Sequence, residues 1–450
     1  MCATSKRPRQ SSWPPPVSSS RSADMARPSP RRRGPIVALV ILVLAIAAVA
    51  AAVLGNRDAP PDRAPQQVQA TQEQLQLGRY LARAADCAAC HQTADGPAYA
   101  GGFPLQTPFG TLYGTNITPD PDHGIGRWTA DEFHRALTEG KAPHGRNLYP
   151  AMPYPAYHDI PRADADLIYA YLMNVRPSGQ PNKKPEIPFP LNLRVLMTGW
   201  NLLFFDHDPL PAASQGESAQ WVRGRYLTNV LGHCGECHTP RGKLGQLHRD
   251  DWLQGYTLNR FEAPSLTPQA LAERGWTPED LQRFLRTGLA PQGIAADEMY
   301  PVILHSTQYL TDDDLKAMAA FLLGDTPPKP VPAPQAQPDA APPSPGRRVY
   351  LNTCAACHGV DGEGHPPGMP PLAANSTVRL QSPRNLLLSI LDGLPAQRLP
   401  DGTRIGDMPA FAHRLTDDEV AQLTNYMRTT WSTREGQVTA SDVAKLREGK

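Results

Sequence analysis

The chain runs to 450 residues with 44 basic and 43 acidic side chains, a formal net charge of +1. That balance lacks the basic footprint of a nucleic-acid-binding domain, and the length has room for about three domains. Proline, at 50 residues, is about twice its usual share of roughly 5%; much of it falls in linkers and in loops between motifs.

Residues 1–35 form a polar leader rich in Pro, Ser and Arg that ends near Arg31-Arg32-Arg33. Ile36–Leu54 is then an unbroken apolar run of 19 residues. At ~1.5 Å per residue it reaches roughly 28 Å, close to the ~30 Å hydrocarbon core of a bilayer. The excess of arginine before it keeps the leader cytoplasmic and sends everything from Gly55 onward across the membrane. The competing reading is a cleaved signal peptide, with small residues at 47–52 and a start at Met25, but its apolar region is long for that role. Cys2 lies in the leader, away from every motif.

The rest of the chain repeats itself. Cys-x-x-Cys-His occurs at Cys87–His91, Cys234–His238 and Cys354–His358. This is the attachment signal for c-type haem: two thiols bond to the vinyl groups and the histidine ligates the iron. With 13 His in 450 residues, three coincidental histidines have a chance of roughly 2 in 100,000. Zinc wants four ligands at short spacing, but these pairs lie more than 100 residues apart. A redox dithiol needs no histidine.

Each motif is preceded by a glycine that opens a predicted helix: Gly78-Arg79-Tyr80-Leu81, Gly224-Arg225-Tyr226-Leu227 and Gly346-Arg347-Arg348-Val349-Tyr350. Further on, Thr129 and Thr277 cap helices with acids in the first turn. Thr311 and Thr416 open capping boxes before a closing helix. Tyr171, Phe321 and Tyr426 recur at one place in these closing helices, which predicts that the last helix of each repeat crosses the first against its glycine. The boundaries are then 71–176, 217–325 and 346–431 for the three repeats. A segment at 177–216 carries large apolar side chains, and 432–450 is a charged tail. Nearly half of the spacer 326–345 is proline, which predicts an extended, semi-rigid tether and a mobile third repeat.

The proximal ligands are His91, His238 and His358. Distal ligands must come from elsewhere, and a thioether suits ferrous iron. Met152 and Met299 follow the second cysteine of their motifs at one and the same spacing (152 − 90 = 299 − 237) and lie beside prolines before the closing helix. In the third repeat Met408, followed by Pro409, is preferred to Met369, which comes too soon after His358 to cross to the opposite haem face. Met173, Met318 and Met427 read as core, and His233 and His365 as surface residues. With His and Met both bound, no iron position is open, which argues for a carrier and against a stand-alone haem peroxidase.

Asn116-Ile117-Thr118-Pro119-Asp120, Gly124-Ile125-Gly126-Arg127-Trp128 and Met152-Pro153-Tyr154 resemble the first unit of the three-haem cytochrome subunit of membrane-bound bacterial dehydrogenases. Trp200–Phe205 and Gly232–Arg241 resemble its second, and the likeness runs from about residue 71 to 430. The resemblance implies an all-α fold of three tandem class I cytochrome c domains, with covalent haem on Cys87/Cys90, Cys234/Cys237 and Cys354/Cys357. It also implies a periplasmic setting and a dehydrogenase partner of PQQ, FAD or molybdenum type. Ubiquinone or a terminal oxidase would be the acceptor. An electron-entry subunit of a terminal oxidase is the alternative. The long leader with its anchor, and the long spacer, depart from that family.

Overall fold

The computed structural model describes residues 37–44, 47, 60–208, 210, 216–334, 344–365, 368–432, 434 and 437–449. The chain divides at Ala51/Ala52 into two bodies. In the first, residues 37–44 are helical with exposed side chains. No helix among the described residues is long and apolar enough to cross a membrane. The predicted leader, Cys2 and much of the predicted anchor at 36–54 lie outside the described residues.

The second body holds the three repeats. In the first, α1 (Gln72–Ala84) leads into α2 (Cys87–His91); a ribbon of β1 (Pro104–Thr107) and β2 (Gly110–Tyr113) follows, then α3 (Ala130–Glu139), α4 (Tyr154–Tyr157) and α5 (Arg162–Leu172). A connecting helix, α6 (Leu196–Phe204), precedes the second repeat: α7 (Ala219–Arg225), a π-turn at Tyr226–Leu231, α8 (Gly235–His238), β3 (Tyr256–Leu258), β4 (Phe261–Ala263), α9 (Pro268–Glu273), α10 (Pro278–Thr287), α11 (Met299–His305) and α12 (Asp312–Leu323). The third has α13 (Pro345–Thr353), α14 (Ala355–His358), α15 (Arg384–Asp392) and α16 (Asp417–Trp431), and α17 (Ala440–Glu448) follows. The fold is largely helical, but not purely so. Short two-stranded antiparallel ribbons follow the first two motifs and α3, α10 and α15, each with a residue at positive φ at its turn: Gly110, Asn259, Gly145, Gly293 and Gly402.

The predicted helix crossing recurs in all three repeats. A Cβ on Gly78 would sit 2.1 Å from Leu167 O and 2.9 Å from Tyr171 Cβ. On Gly224 it would meet Ala317 O at 1.8 Å and Phe321 Cβ at 2.9 Å. On Gly346 it would meet Gln422 O at 2.1 Å and Tyr426 Cβ at 2.8 Å. Only a residue without a side chain lets the two backbones meet, which outweighs glycine's cost of roughly 0.5–1 kcal/mol in a helix. Thr129 and Thr416 make capping boxes, and Thr277 and Thr311 cap through their side chains. The closing helix α12 buries Leu315, Met318, Leu322 and Leu323, each contributing about 1.5–3 kcal/mol on leaving water.

Buried residues form two cores. One runs without a break through the first and second repeats, and the other belongs to the third. The first two repeats exchange equivalent contacts. Tyr80 donates to Asp314 at 2.5 Å, and Tyr226 donates to Asp164 at 2.6 Å, so the first helix of each repeat reaches the closing helix of the other. Likewise α11 lies against α2, and α4 lies against the π-turn.

One expectation needs correction. The third repeat is docked on the second: Arg260 pairs with Asp392 at 2.7 Å, Glu262 and Asn385 exchange hydrogen bonds at 2.8 and 2.7 Å, and Trp276 Nε1 donates to Ser376 at 2.9 Å. The start of the spacer joins in, because Val331 N–H donates to Ala272 O while Arg379 donates to the carbonyls of Glu273 and Val331. Docking of this spacer needed backbone carbonyls, not apolar side chains. The tail is also ordered into structure: Thr439 caps α17, Val443 is fully buried, and Asn425 bonds Val438 both ways. The segment 177–216 packs partly inward, with Phe205 buried against Tyr154 and Trp200 Nε1 donating to Leu244 O.

Candidate haem centres

In each repeat the first helix ends just before a short helical turn that carries the motif. Cysteines three apart on such a turn share one face. Each motif histidine turns its Nδ1 to a backbone carbonyl: His91 to Thr115 O at 2.6 Å, His238 to Pro264 O at 2.6 Å and His358 to Pro370 O at 3.1 Å. A carbonyl can only accept, so the proton is on Nδ1 and the Nε2 lone pair is left for a metal. Burial lowers the pKa of all three rings, His238 to about 4, so each is neutral at physiological pH. Neutral imidazole is the form that binds iron.

The six motif cysteines are free of disulfides. Loss of solvation pushes Cys87, Cys90, Cys234, Cys237 and Cys354 up to about 12. In the haem-free polypeptide these are neutral thiols, without the lowered pKa of a redox-active dithiol. Among the described residues no group of three or more His, Cys, Asp and Glu could hold a metal ion.

The motif treats its two cysteines as equals, and the structure does not. In the third repeat Cys354 is half-buried, whereas Cys357 is exposed. The single turn α14 meets its core through Cys354 and Ala355, and its end, with Cys357, lies beyond that core. The pair still stays together: Cys357 N–H donates to Cys354 O at 3.1 Å, and the charge of Cys357 helps to raise the Cys354 pKa. In the second repeat Cys237 is also exposed and Cys234 half-buried. Unlike Cys357, it lies near the seam between repeats, where Glu236 and Asp86 add to the rise in its pKa.

The candidate distal residues all lie partly buried at the edge of a core: Met152 and Met299 on the first, Met408 on the second. Met299 and Cys234 line one apolar cavity together with Leu227, Leu285, Met318 and, from the first repeat, Ala84. Met152 sits in the turn before α4. Met408 is paired through its backbone with Leu394, just after α15, at 2.9 Å both ways. Met369 pairs with His365 and directly precedes Pro370, whose carbonyl holds His358. It therefore lies on the histidine side of the third centre, whereas a distal ligand must come from the other side. Met173, Met318 and Met427 are buried in the closing helices or at their ends, and His365 is exposed.

His233 is not a surface residue. It lies between the first two repeats, its ring 5.5 Å from that of Tyr157, and burial lowers its pKa. Tyr157 donates to Ala85 O at 2.6 Å, just before the first motif. Asp86, at φ 50°, is 7% exposed with one carboxyl oxygen lacking a partner, and burial raises its pKa well above normal. Pattern reading missed these roles, as it missed the three carbonyls and saw Asp314 only as part of a helix cap.

Buried donors without partners, Arg274 Nε, Trp252 Nε1 and Trp431 Nε1, together with the apolar cavity beside Cys234, suit a large apolar group that carries its own acceptors, as haem does. Attachment turns, carbonyl-held histidines and crossed terminal helices define a c-type cytochrome of tandem domains. The family described as Cytochrome c matches residues 75–176 and 343–431. The family described as cytochrome c oxidase, cbb3-type, subunit III matches residues 219–322. Over 403 residues the chain is 38% identical to the cytochrome c subunit of the quinone alcohol dehydrogenase of Gluconacetobacter polyoxogenes, covering 83% of this chain and 84% of that protein. It is 38% identical over 407 residues to the gluconate 2-dehydrogenase cytochrome c subunit of Pantoea cypripedii, with 84% and 91% covered. It is 35% identical over 427 residues to the fructose dehydrogenase cytochrome subunit of Gluconobacter japonicus, with 86% and 85% covered. The chain belongs to the family of cytochrome c subunits of dehydrogenases, electron-transfer proteins with covalent c-type haem.

Proposed function

We propose that the chain holds three haems, on Cys87/Cys90, Cys234/Cys237 and Cys354/Cys357. The axial pairs are His91/Met152, His238/Met299 and His358/Met408. Bound haem supplies a one-electron couple. The protein holds each imidazole in the Nδ1–H form against a carbonyl and closes the opposite side with a thioether. The observation that carries this reading is the repeated His-to-carbonyl bond, which prepares an iron ligand at all three motifs.

In this reading the haems take single electrons from the catalytic subunit of a dehydrogenase acting on an alcohol, sugar acid or aldehyde. They pass them to ubiquinone or a terminal oxidase. A one-electron carrier cannot take a hydride, so the partner's PQQ, flavin or molybdenum centre does that chemistry. The apolar run at 36–54 anchors the chain in the inner membrane with the haem domains in the periplasm. A second reading, electron entry to a terminal oxidase, draws on the likeness of residues 219–322 to the cbb3-type subunit, but that likeness covers one repeat of three.

The test is reduction of the purified, haem-loaded chain. Alcohols, sugar acids or aldehydes should reduce it only when a dehydrogenase subunit is added. Cells lacking the chain should keep dye-linked dehydrogenase activity and lose the oxygen uptake. Direct reduction of the isolated chain by substrate would overturn the reading.

A further inference from the structure

Each motif histidine rests on a carbonyl, but the second shares its loop with a buried cation. Pro264 C=O accepts from His238 at 2.6 Å, and the very next carbonyl, Ser265, accepts from Arg274 Nη2 at 2.6 Å. One peptide unit therefore joins the proximal histidine to a guanidinium. Arg274 is 6% exposed, its Nε has no hydrogen-bond partner, and it makes no direct ion pair among the described residues. Burial lowers its pKa to about 10, against a smaller upward pull from Glu273 and Glu262, so it is charged at neutral pH.

The first repeat has no arginine at the matching place. Trp276 stands where the first repeat has Trp128, and two residues before each lie Arg274 and Gly126. A buried cation without a directly paired counter-charge is costly and persists where something else gains from it. Ferric haem carries one more positive charge than ferrous haem, so a fixed cation beside the proximal ligand favours the reduced state. A haem carboxylate meeting the free Nε–H would leave the sign unchanged, because removing Arg274 would then expose that negative charge to the iron.

We propose that Arg274 is a positioning residue that sets the second haem apart from the first: held on the Pro264–Ser265 ledge, it raises that haem's reduction potential. This rests on the reading that Cys234–His238 carries a haem. The experiment is a spectroelectrochemical titration of the full haem-loaded chain, resolved into its component waves. A Cys234→Ala, Cys237→Ala chain identifies the wave of the second haem. Arg274→Gln should move that wave to lower potential and leave the other two in place, while Arg274→Lys, which keeps the charge, should hold it near the native position. Arg274→Met, which keeps much of the stem, carries the same expectation as Gln should the latter load poorly. An unmoved wave in both neutral variants, or an equal fall in the Lys variant, overturns the proposal. Failure of the underlying reading looks different: the double-cysteine chain would then lose no haem by haemochrome assay.

Discussion

Replacing Asp314 tests a buried carboxylate that pairs with Arg223 of its own repeat and also accepts a hydrogen bond from the first. Asp314 is 9% exposed and accepts from Tyr80 of the other repeat at 2.5 Å and from Arg223 through Nε at 2.9 Å and Nη2 at 2.8 Å. Burial alone would raise its pKa, but the hydrogen bonds from Arg223 and Tyr80 and the Arg223 charge outweigh that and hold it below 3.8. Removing one partner of a buried pair costs ~3–5 kcal/mol. The Arg223 side chain is 39% exposed, so water recovers part of its solvation and the expected loss for Asp314→Asn is about 2–3 kcal/mol. Urea unfolding of the haem-loaded chain, followed by far-UV circular dichroism, gives the cost. A cycle with Arg223→Met isolates the pair. Because the folded pKa is depressed, the contribution is complete above the unfolded carboxylate's pKa of about 4 and disappears as pH falls through the lower folded value. A cost below ~0.5 kcal/mol, the range of an ordinary surface change, or the same cost with Arg223 already replaced, refutes the reasoning.

Three further outcomes follow. Gly224→Ala places a Cβ 1.8 Å from Ala317 O; overpacking of ~1–3 kcal/mol exceeds the gain in helix propensity, so the thermal midpoint should fall, as it should for Gly78→Ala and Gly346→Ala. Met152→Ala, Met299→Ala and Met408→Ala should each open one iron to carbon monoxide and lower one potential; carbon monoxide binding at all three haems of the reduced native protein would show the thioether assignment to be wrong. A single cut in the spacer 326–345 should leave the third repeat bound to the second at low salt, and Arg379→Ala, which removes the bonds to Glu273 O and Val331 O, should release it on gel filtration; release from the native nicked chain would count against the docked interface.

The attachment motifs and the helix crossing were legible because their chemistry is local: a pentapeptide, a glycine, a capping threonine. One finer feature was legible in the spacing itself. The crossing glycine stands further from the first motif cysteine in the second repeat (234 − 224) than in the first (87 − 78) or the third (354 − 346). The extra residue relative to the first repeat is taken up by the π-turn at Tyr226–Leu231, since the positive φ of His233 before the motif is matched by Asp86 in the first repeat. What the pattern could not reveal is whatever depends on main-chain atoms far apart in sequence. The carbonyls of Thr115, Pro264 and Pro370 carry no signature in residue type. Neither do those of Glu273 and Val331, which is why a proline-rich spacer suggested a free tether. The uneven burial of Cys354 and Cys357 is hidden for a related reason: it depends on where α14 meets its core, and the Cys-x-x-Cys-His pattern recurs unchanged in all three repeats.

The exchange of Tyr80–Asp314 for Tyr226–Asp164 bears on how electrons pass. Two repeats that trade equivalent contacts behave like an isologous pair within one chain, and such pairing brings their like surfaces together. The like surfaces here carry the first two attachment motifs: α11 lies against Cys87–His91, Ala84 lines the cavity beside Cys234, and Cys237 lies close enough to help raise the Cys90 pKa. One continuous core holds that arrangement, so the separation of these two centres is fixed by packing. The third repeat has its own core and meets the second through ion pairs and hydrogen bonds. Contacts of that kind are individually weak and open without exposing a core. On the three-haem reading proposed above, the step that responds to salt or to partner binding is the one between the second and third centres.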